Sequence, residues 1–361
     1  MLREVGMVIE LDSAAPVRSG EEIQTARLED YLRLHLPQFA GPLAVEQFPH
    51  GHSNLTYLLR SGSSELVLRR PPVGNQVQTA HDMSREFRVL SKLSAVFPEA
   101  PRPFHYCDDH EVLGAPFYLM QRSRGVILRK SLPSGLSLEP ETARGLGESL
   151  VATLARLHAI DAQAAGLADL GKPAGYVARQ VSGWIKRYAG AQTDNVAAMD
   201  QTGRWLTEHM PPDSGTAIIH NDFKYDNVVL DPADLTRIVA VLDWEMATLG
   251  DPLMDLGTTL GYWVEASDAR ALQGSAVGPT MLPGSLTRRE LVACYEEASG
   301  RTVSNPLFYY CFGLYKIAVI VQQIYARLVR GYTHDPRFAR LNELVAILSQ
   351  QAQRTIEAGS I

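Results

Sequence analysis

The chain has little cysteine, no excess of positive charge and no long hydrophobic run free of charged residues, and each shortage narrows its class. Its three cysteines, Cys107, Cys294 and Cys311, lie far apart and form no metal-like spacing. They read as small buried hydrophobes in a reducing compartment. A net charge of −6 gives no reason to expect a nucleic-acid partner, whose readers carry a basic footprint. The most hydrophobic stretch, Leu307 to Val329, is interrupted by Lys316, Gln322, Gln323 and Arg327. Those side chains are costly in lipid, so a buried helix is expected rather than a membrane span. The N-terminal residues lack the basic start, apolar stretch and cleavage site of a secretory signal, and a cytoplasmic location is expected. There is no internal repeat and no low-complexity tract.

What is present fits an ordinary globular protein: 361 residues, 45% hydrophobic and 20% charged, enough for two packed lobes. Residues 23–36 have a helical pattern, and strand-like runs at Tyr57–Arg60 and Glu65–Arg69 flank a Ser-Gly-Ser-Ser hairpin signal. A helical period returns over 79–94, and Pro116–Gln121 reads as a strand. Beyond Gly125 long helical patterns dominate: 139–159, 174–190, 194–210, 287–298, 306–329 and 335–357, broken by a β segment between 216 and 243. A small β-rich lobe and a large helical lobe therefore meet near residues 122–126, with the deepest cleft between them.

The chemistry concentrates in His220-Asn221-Asp222-Phe223-Lys224-Tyr225-Asp226-Asn227. An apolar run, Ala217–Ile219, precedes it, and a hairpin follows that ends in Asp243-Trp244. Phosphoryl transfer needs an acceptor that sheds a proton, metal ions on the phosphate oxygens and an in-line geometry. Asp222 can take the hydroxyl proton or orient the hydroxyl. Asn227 and Asp243 offer the hard oxygen ligands that Mg²⁺ prefers. Asp and Asn are also common turn residues, and Asp226 and Asp231 read as such. The flanking strands and the carboxylate at the hairpin exit supply the context that the motif requires.

This segment resembles the catalytic loop of the aminoglycoside phosphotransferase family, a branch of the protein-kinase-like fold. Asp243 corresponds to the aspartate of the Asp-Phe-Gly motif of protein kinases, with Trp244 in place of Phe. Gly250-Asp251-Pro252-Leu253-Met254-Asp255-Leu256 matches a further family segment. There Asp251 suits a helix N-cap with Pro252 at the first helical position, and Asp255 is expected to brace the catalytic loop. The resemblance implies an α+β, two-lobed fold, with residues 1–123 covering a nucleotide and 124–361 forming a helical catalytic lobe. It also implies ATP and Mg²⁺ as cofactors.

On the nucleotide side, Pro49-His50-Gly51-His52-Ser53-Asn54 resembles the family's nucleotide loop, where backbone N–H groups and the Ser53 hydroxyl would contact phosphate oxygens. Kinases pair a strand lysine with a helix glutamate. Here the strand ends in Arg69-Arg70, and Glu86 is the natural partner. Strand alternation turns one of the two arginines inward, and Arg69 is favoured; an exposed arginine pair is the alternative. Phe117–Arg122 resembles the strand into the interlobe hinge, with Met120 guarding the pocket and backbone groups around Gln121 and Arg122 meeting adenine.

The acceptor side is less defined. The helix with Arg179, Lys186 and Arg187, and the stretch Arg122–Lys130, are basic, which favours an anionic acceptor over an aminoglycoside; a solvated face accounts for the same residues. Arg179-Gln180 with Trp184 and Tyr188, His52–Tyr57, and Val67–Pro72 are similar to the kinase-like domains fused in animals to acyl-CoA dehydrogenases. That resemblance implies phosphorylation of a hydroxyacyl-CoA. An aminoglycoside, sugar or amino-alcohol kinase remains open, as does a nucleotide-binding pseudokinase, against which Asp222, Asn227 and Asp243 speak. Nothing after Asp243 resembles a long activation segment, so a protein acceptor is not expected. His158 reads as a packed structural histidine.

Overall fold

In the computed structural model, residues 11–39, 41–49, 54–72 and 82–361 are described. The first expected helix forms as α1, Thr25–His35, followed by β1, Ala44–Gln47, and the expected hairpin of β2, Leu55–Ser61, and β3, Ser64–Arg70. Ser61 pairs with Ser64 across a two-residue turn whose first central residue, Gly62, has φ +59°. A turn that follows the strand twist needs that sign. Helix α2, Met83–Leu93, begins at Asp82, whose carboxylate accepts from the Arg85 N–H. Then come β4, Pro103–Cys107, a short α3, His110–Leu113, and β5, Phe117–Gln121. The five strands form one antiparallel sheet in the order β1-β2-β3-β5-β4. Strand β4 lies at the edge, where a leading proline is tolerated, and it lacks the alternation that marks β2 and β3 in the sequence.

Period-two alternation divides β2 and β3 between two faces. Leu55, Tyr57, Leu59, Leu66 and Leu68 pack with Leu28, Leu32 and Phe39 on the outer face. Leu58 and Val67, with Tyr118 and Met120 of β5, turn towards α2 and the larger core. Both faces are therefore dry, and Arg69 and Arg70, at the end of β3, fall one on each.

Helices dominate from Pro140: α4, Pro140–His158, α5, Tyr176–Ala191, and α6, Ala197–Glu208. The β segment consists of β6, Ala217–Ile219, β7, Val228–Leu230, and β8, Ile238–Val241, joined by an unexpected β9, Thr248–Gly250. Strand β6 pairs with β9 and β7 with β8, both antiparallel. Helix α7, Pro252–Tyr262, starts as the sequence suggests: the Asp251 carboxylate accepts from the Leu253 and Met254 N–H groups, with Pro252 in the first turn. The chain ends in α8, Arg270–Gln273, α9, Arg288–Ser299, α10, Pro306–Val329, and α11, Leu341–Ala358. Helix α11 begins later than residue 335 because Asp335 caps a separate 3-10 turn at Pro336–Phe338.

Helix α10 is long and apolar enough to cross a membrane by length and composition, yet 78% of its most apolar window is buried inside the protein. It packs against α5, α6, α7 and α11. Its crossing with α7 is close because both helices carry glycine there. A Cβ at Gly313 would lie 2.0 Å from Gly257 O, and one at Gly257 would lie 2.3 Å from Tyr309 O. That approach lets Lys316 reach from α10 to the loop that follows β6. All three cysteines are unpaired; Cys107 and Cys311 are buried, whereas Cys294 is half-buried.

Candidate active site

Strand β6 delivers His220 into the loop expected to carry the chemistry. The loop is braced from below by Asp255 of α7, which is fully buried. Its Oδ2 accepts from the His220 N–H (2.7 Å) and its Oδ1 from the Asn221 N–H (2.6 Å). His158 of α4 stands 3.2 Å from Oδ2 through Nε2 and 2.7 Å from the Tyr295 hydroxyl through Nδ1. His158 is thus a structural histidine, and the carboxylate it supports is the expected brace. Burial alone would push the Asp255 carboxyl up, but the His158 bond and charge outweigh it and hold the pKa below the usual range.

Asn221 has φ +70°, a left-handed conformation that Asn tolerates better than most residues. It is held there on three sides. Lys316 Nζ donates to the Asn221 carbonyl (2.7 Å) and Oδ1 (3.1 Å), and Asn221 Nδ2 donates to Met246 O (3.1 Å). Nearly complete burial lowers the Lys316 pKa to about 8, against the opposing pull of Asp255 and Asp222. His220 Nδ1 accepts from the Asp222 N–H (3.2 Å), which leaves Nε2–H to donate to Leu242 O (2.9 Å). This pairing is that of a neutral imidazole.

Asp222 itself is densely bonded. Lys224 Nζ lies 3.1 Å from Oδ1 and 2.9 Å from Oδ2, Asn227 Nδ2 donates to Oδ2 (2.9 Å), and the Tyr262 hydroxyl donates to Oδ1 (2.7 Å). Burial works against the Lys224 charge, but Tyr262 and Asp222 outweigh it and raise its pKa. Asp226, read from the sequence as a turn residue, is half-buried, and burial pushes its carboxyl up to about 6.

Asp243 follows β8 with φ +67°, a strained conformation for a non-glycine residue. Arg69 holds it from the sheet: the guanidinium lies 3.0 Å from Glu86 Oε1 and 2.7 Å from Asp243 Oδ1. Burial opposes the ionised form of Asp243, and Arg69 more than compensates, so its pKa is lowered. Glu86 goes the other way: it is fully enclosed, and desolvation raises it despite Arg69. The Trp244 N–H donates to Glu86 Oε1 (3.2 Å), and the indole packs edge-on against His220 and Phe97. Two more ties join the small lobe to this segment: Asn54, just before β2, donates from Nδ2 to Glu245 Oε2 (2.8 Å), and the Arg85 guanidinium of α2 donates to Glu245 O (3.2 Å).

The structure thus forms two bonded groups, Asp222 with Asn227 and Asp243 with Arg69 and Glu86, joined where the N–H of Leu242, the residue before Asp243, donates to Asn227 O (2.7 Å). Arg70 is not exposed, as the alternative reading of the pair supposed, but is buried on the opposite face of the sheet beside Tyr57. Met120 is buried opposite Val67. Gln121 is exposed, and its N–H is committed to Arg102 O (2.8 Å). The Arg122 guanidinium lies 4.6 Å above the Phe48 ring and donates to Ser123 O (3.0 Å) and to Asp12 O. Ser53 and the rest of His50–Ser53 lie outside the described residues. The cations of the basic stretch 122–130 have partners within the chain, although Arg124 and Lys130 remain exposed: Arg124 pairs with Glu65 (3.0 Å), Arg129 with Asp12 (2.9 Å), and Lys130 donates to Gly274 O (2.9 Å). Arg179 donates to Lys172 O and Ala174 O. Of the basic helix, Arg187 lies 4.6 Å above the Trp184 ring, beside Lys316.

Asn227 and Asp243 could hold a hard cation. The Asn227 amide is fixed by two donations from Nδ2, to Asp222 O (2.8 Å) and Oδ2 (2.9 Å), which aims Oδ1 away from them. The Asp243 side chain is about a third exposed, and only its Oδ1 is engaged by Arg69. Among the described residues there is no group of three or more His, Cys, Asp or Glu side chains that could enclose a metal ion. The donor set fits Mg²⁺, which takes one or two carboxylates and completes its shell with water and phosphate oxygens. The sequence reading missed Lys224, which stands in the quoted motif two residues past Asp222, and Tyr262 and Lys316, which no local pattern marks.

A five-stranded antiparallel sheet over a helical lobe, with a loop carboxylate and a hairpin carboxylate facing a buried Arg–Glu pair, defines a kinase-like phosphotransferase fold. The comparisons agree. A model of the Phosphotransferase enzyme family (APH) matches residues 44–291, and the chain belongs to that family. Acyl-CoA dehydrogenase family member 10 of Mus musculus is 34% identical over 340 residues, which cover 93% of this chain and 31% of the mouse protein. The chain therefore spans about a third of that relative's length. A crystal structure of a Ralstonia eutropha protein named for the aminoglycoside phosphotransferases matches with a TM-score of 0.75 and 32% identity, over 92% of this chain and 99% of the other. A thermostable mutant of aminoglycoside phosphotransferase APH(4)-Ia, in ternary complex with ADP and hygromycin B, matches with a TM-score of 0.57 and 16% identity, over 92% and 99%. At that identity the likeness speaks for the fold alone.

Proposed function

We propose that the protein transfers the γ-phosphoryl group of ATP to a hydroxyl group of a small molecule. The observation that carries this reading is the convergence of Asp222, Asn227 and Asp243 with the Arg69–Glu86 pair, 2.7 Å from Asp243 at its nearest. A Mg²⁺ ion held by Asn227 and Asp243 would neutralise charge on the phosphate oxygens. Arg69, anchored by Glu86, would face the α- and β-phosphates. The acceptor oxygen forms its bond to the γ-phosphorus as the bond to the β,γ-bridging oxygen breaks. That electron pair leaves with ADP, and the hydroxyl proton passes to Asp222.

For the acceptor we propose an anionic compound, specifically a hydroxyacyl-CoA. Likeness to a protein of the acyl-CoA dehydrogenase family supports it, as do the cations Lys224, in the catalytic loop, and Arg187, over the Trp184 ring that also faces the loop-bonded Lys316. Phosphorylation would turn the hydroxyl into a leaving group. The unpaired thiols suit a reducing, cytoplasmic setting. A second reading, an aminoglycoside, sugar or amino-alcohol kinase, draws on the Ralstonia eutropha neighbour named for the aminoglycoside phosphotransferases.

Incubation with Mg-ATP and a 4-hydroxyacyl-CoA should yield ADP and a phosphorylated ester, detected by mass spectrometry. No product above the Asp222→Ala background overturns the CoA assignment. ADP release with kanamycin-like compounds instead would favour the second reading.

A further inference from the structure

Tyr262 closes α7, far along the chain from Asp222, yet its hydroxyl makes the shortest bond to that carboxylate, 2.7 Å to Oδ1. The other bonds come from Lys224, at 3.1 Å to Oδ1 and 2.9 Å to Oδ2, and from Asn227, at 2.9 Å to Oδ2. A carboxylate offers about four lone-pair directions, and these four bonds fill them. An acceptor hydroxyl can donate to Asp222 only by displacing one donor.

The three donors differ in how they are tethered. The Asn227 amide also grips Asp222 O at 2.8 Å, so it moves only with the loop. Tyr262 hangs from α7, whose Gly261 is pressed so closely against α10 that a Cβ there would lie 2.8 Å from Gly313 C. Lys224 reaches Asp222 through a flexible four-carbon stem, and its ammonium lies 4.5 Å above the Tyr262 ring. That ring face can hold the cation after it leaves the carboxylate.

Resting on the kinase reading above, we propose that Tyr262 is a positioning residue for phosphoryl transfer. Its hydroxyl fixes Asp222 Oδ1 and its ring face carries Lys224 aside, so that the acceptor hydroxyl takes the place of Lys224. Burial and the adjacent Asp222 raise the Tyr262 pKa, which keeps the phenol a neutral donor.

Tyr262→Phe removes the hydroxyl and keeps the ring. With Mg-ATP and the acceptor that wild type turns over, kcat should fall about tenfold or more, as for loss of a bond to a charged group. KM for both substrates should stay within about twofold. Tyr262→Leu removes the ring as well and should lower kcat further. If the Phe variant keeps its kcat, or loses it only alongside a matching rise in both KM values, the role is overturned while the kinase reading stands. Equal kcat in the Phe and Leu variants overturns the part assigned to the ring. Absence of ADP release by wild type with every hydroxyl compound overturns the kinase reading, and this role with it.

Discussion

Asp222 and Asp243 stand at opposite ends of one loop-and-hairpin, but they are held in different ways. Among the described residues, Asp222 is fixed from its own lobe, by Asn227, Lys224 and Tyr262. The loop beneath it hangs on the buried Asp255 and its partner His158. Asp243 sits in a left-handed conformation and is paired from the sheet by Arg69, itself anchored by Glu86 of α2. The first carboxylate is a rigid part of the helical lobe. The second is shared between lobes, so a movement of the sheet reaches it directly. On the proposed reading, the acceptor proton would meet the part held within one lobe, and the nucleotide phosphates the part shared with the sheet.

The comparison breaks most severely at Asp255. In Asp255→Asn one acceptor oxygen becomes a donor facing either the His220 or the Asn221 N–H, in a site where Asp255 and His220 are fully buried. Removing one partner of a buried, bonded charge costs about 3 kcal/mol or more. The melting temperature should fall by several degrees, and transfer activity should be lost even where the variant remains folded. Wild-type activity in a folded Asp255→Asn protein would mean that the loop keeps its shape without the brace.

The opposite end is tested at Arg69. A guanidinium spans Glu86 and Asp243 at once, whereas a lysine ammonium is a point charge that cannot keep both contacts at the same quality. Arg69→Lys should therefore lower kcat/KM for ATP about 10- to 100-fold, with little loss of stability. Arg70→Lys, on the other face of β3, should leave it within about threefold. The reverse pattern would move the phosphate-facing role to Arg70, and equal losses would point to damage of the strand rather than of the site.

What the sequence made legible follows the same division. Asp222, Asn227 and Asp243 are readable because the motif is local: a few residues of loop and a short hairpin set their geometry. Arg69 and Glu86 are readable because strand alternation and helix order follow simple periods. Arg70 was half-read, since alternation says which face a residue takes but not whether that face is covered. Here α1 and the segment around Glu21 cover it, and Tyr57 donates to Glu21 O at 2.6 Å. Tyr262 and Lys316 were illegible as site residues. Their roles depend on how α7 and α10 cross, which is set by Gly257 and Gly313 across the helix pair and by no local pattern. The basic stretch 122–130 was legible only as charge: its acidic and carbonyl partners, Glu65, Asp12 and Gly274, lie far along the chain and no local pattern marks them.

Lys316 offers the mildest test and bears on the stiff half of the comparison. Its folded pKa of about 8 lies below the ordinary lysine value of 10.5 because the side chain is buried. Between those two values the unfolded chain binds a proton that the folded protein does not. Stability must then rise with pH in that window, by at most about 1.4 kcal/mol per unit, and be insensitive to this group below it. Lys316→Met removes the effect. It also orphans the Asn221 carbonyl, so the absolute stability of the variant can move either way, but that offset does not depend on pH. The difference in unfolding free energy, wild type minus variant, should be flat from pH 6 to 7.5 and increase by about 1 kcal/mol between pH 8 and 9. Urea unfolding at four or five pH values reads it. A difference that stays flat to pH 10 would mean that Lys316 keeps its charge in the folded protein, paired through the loop with Asp255 and Asp222.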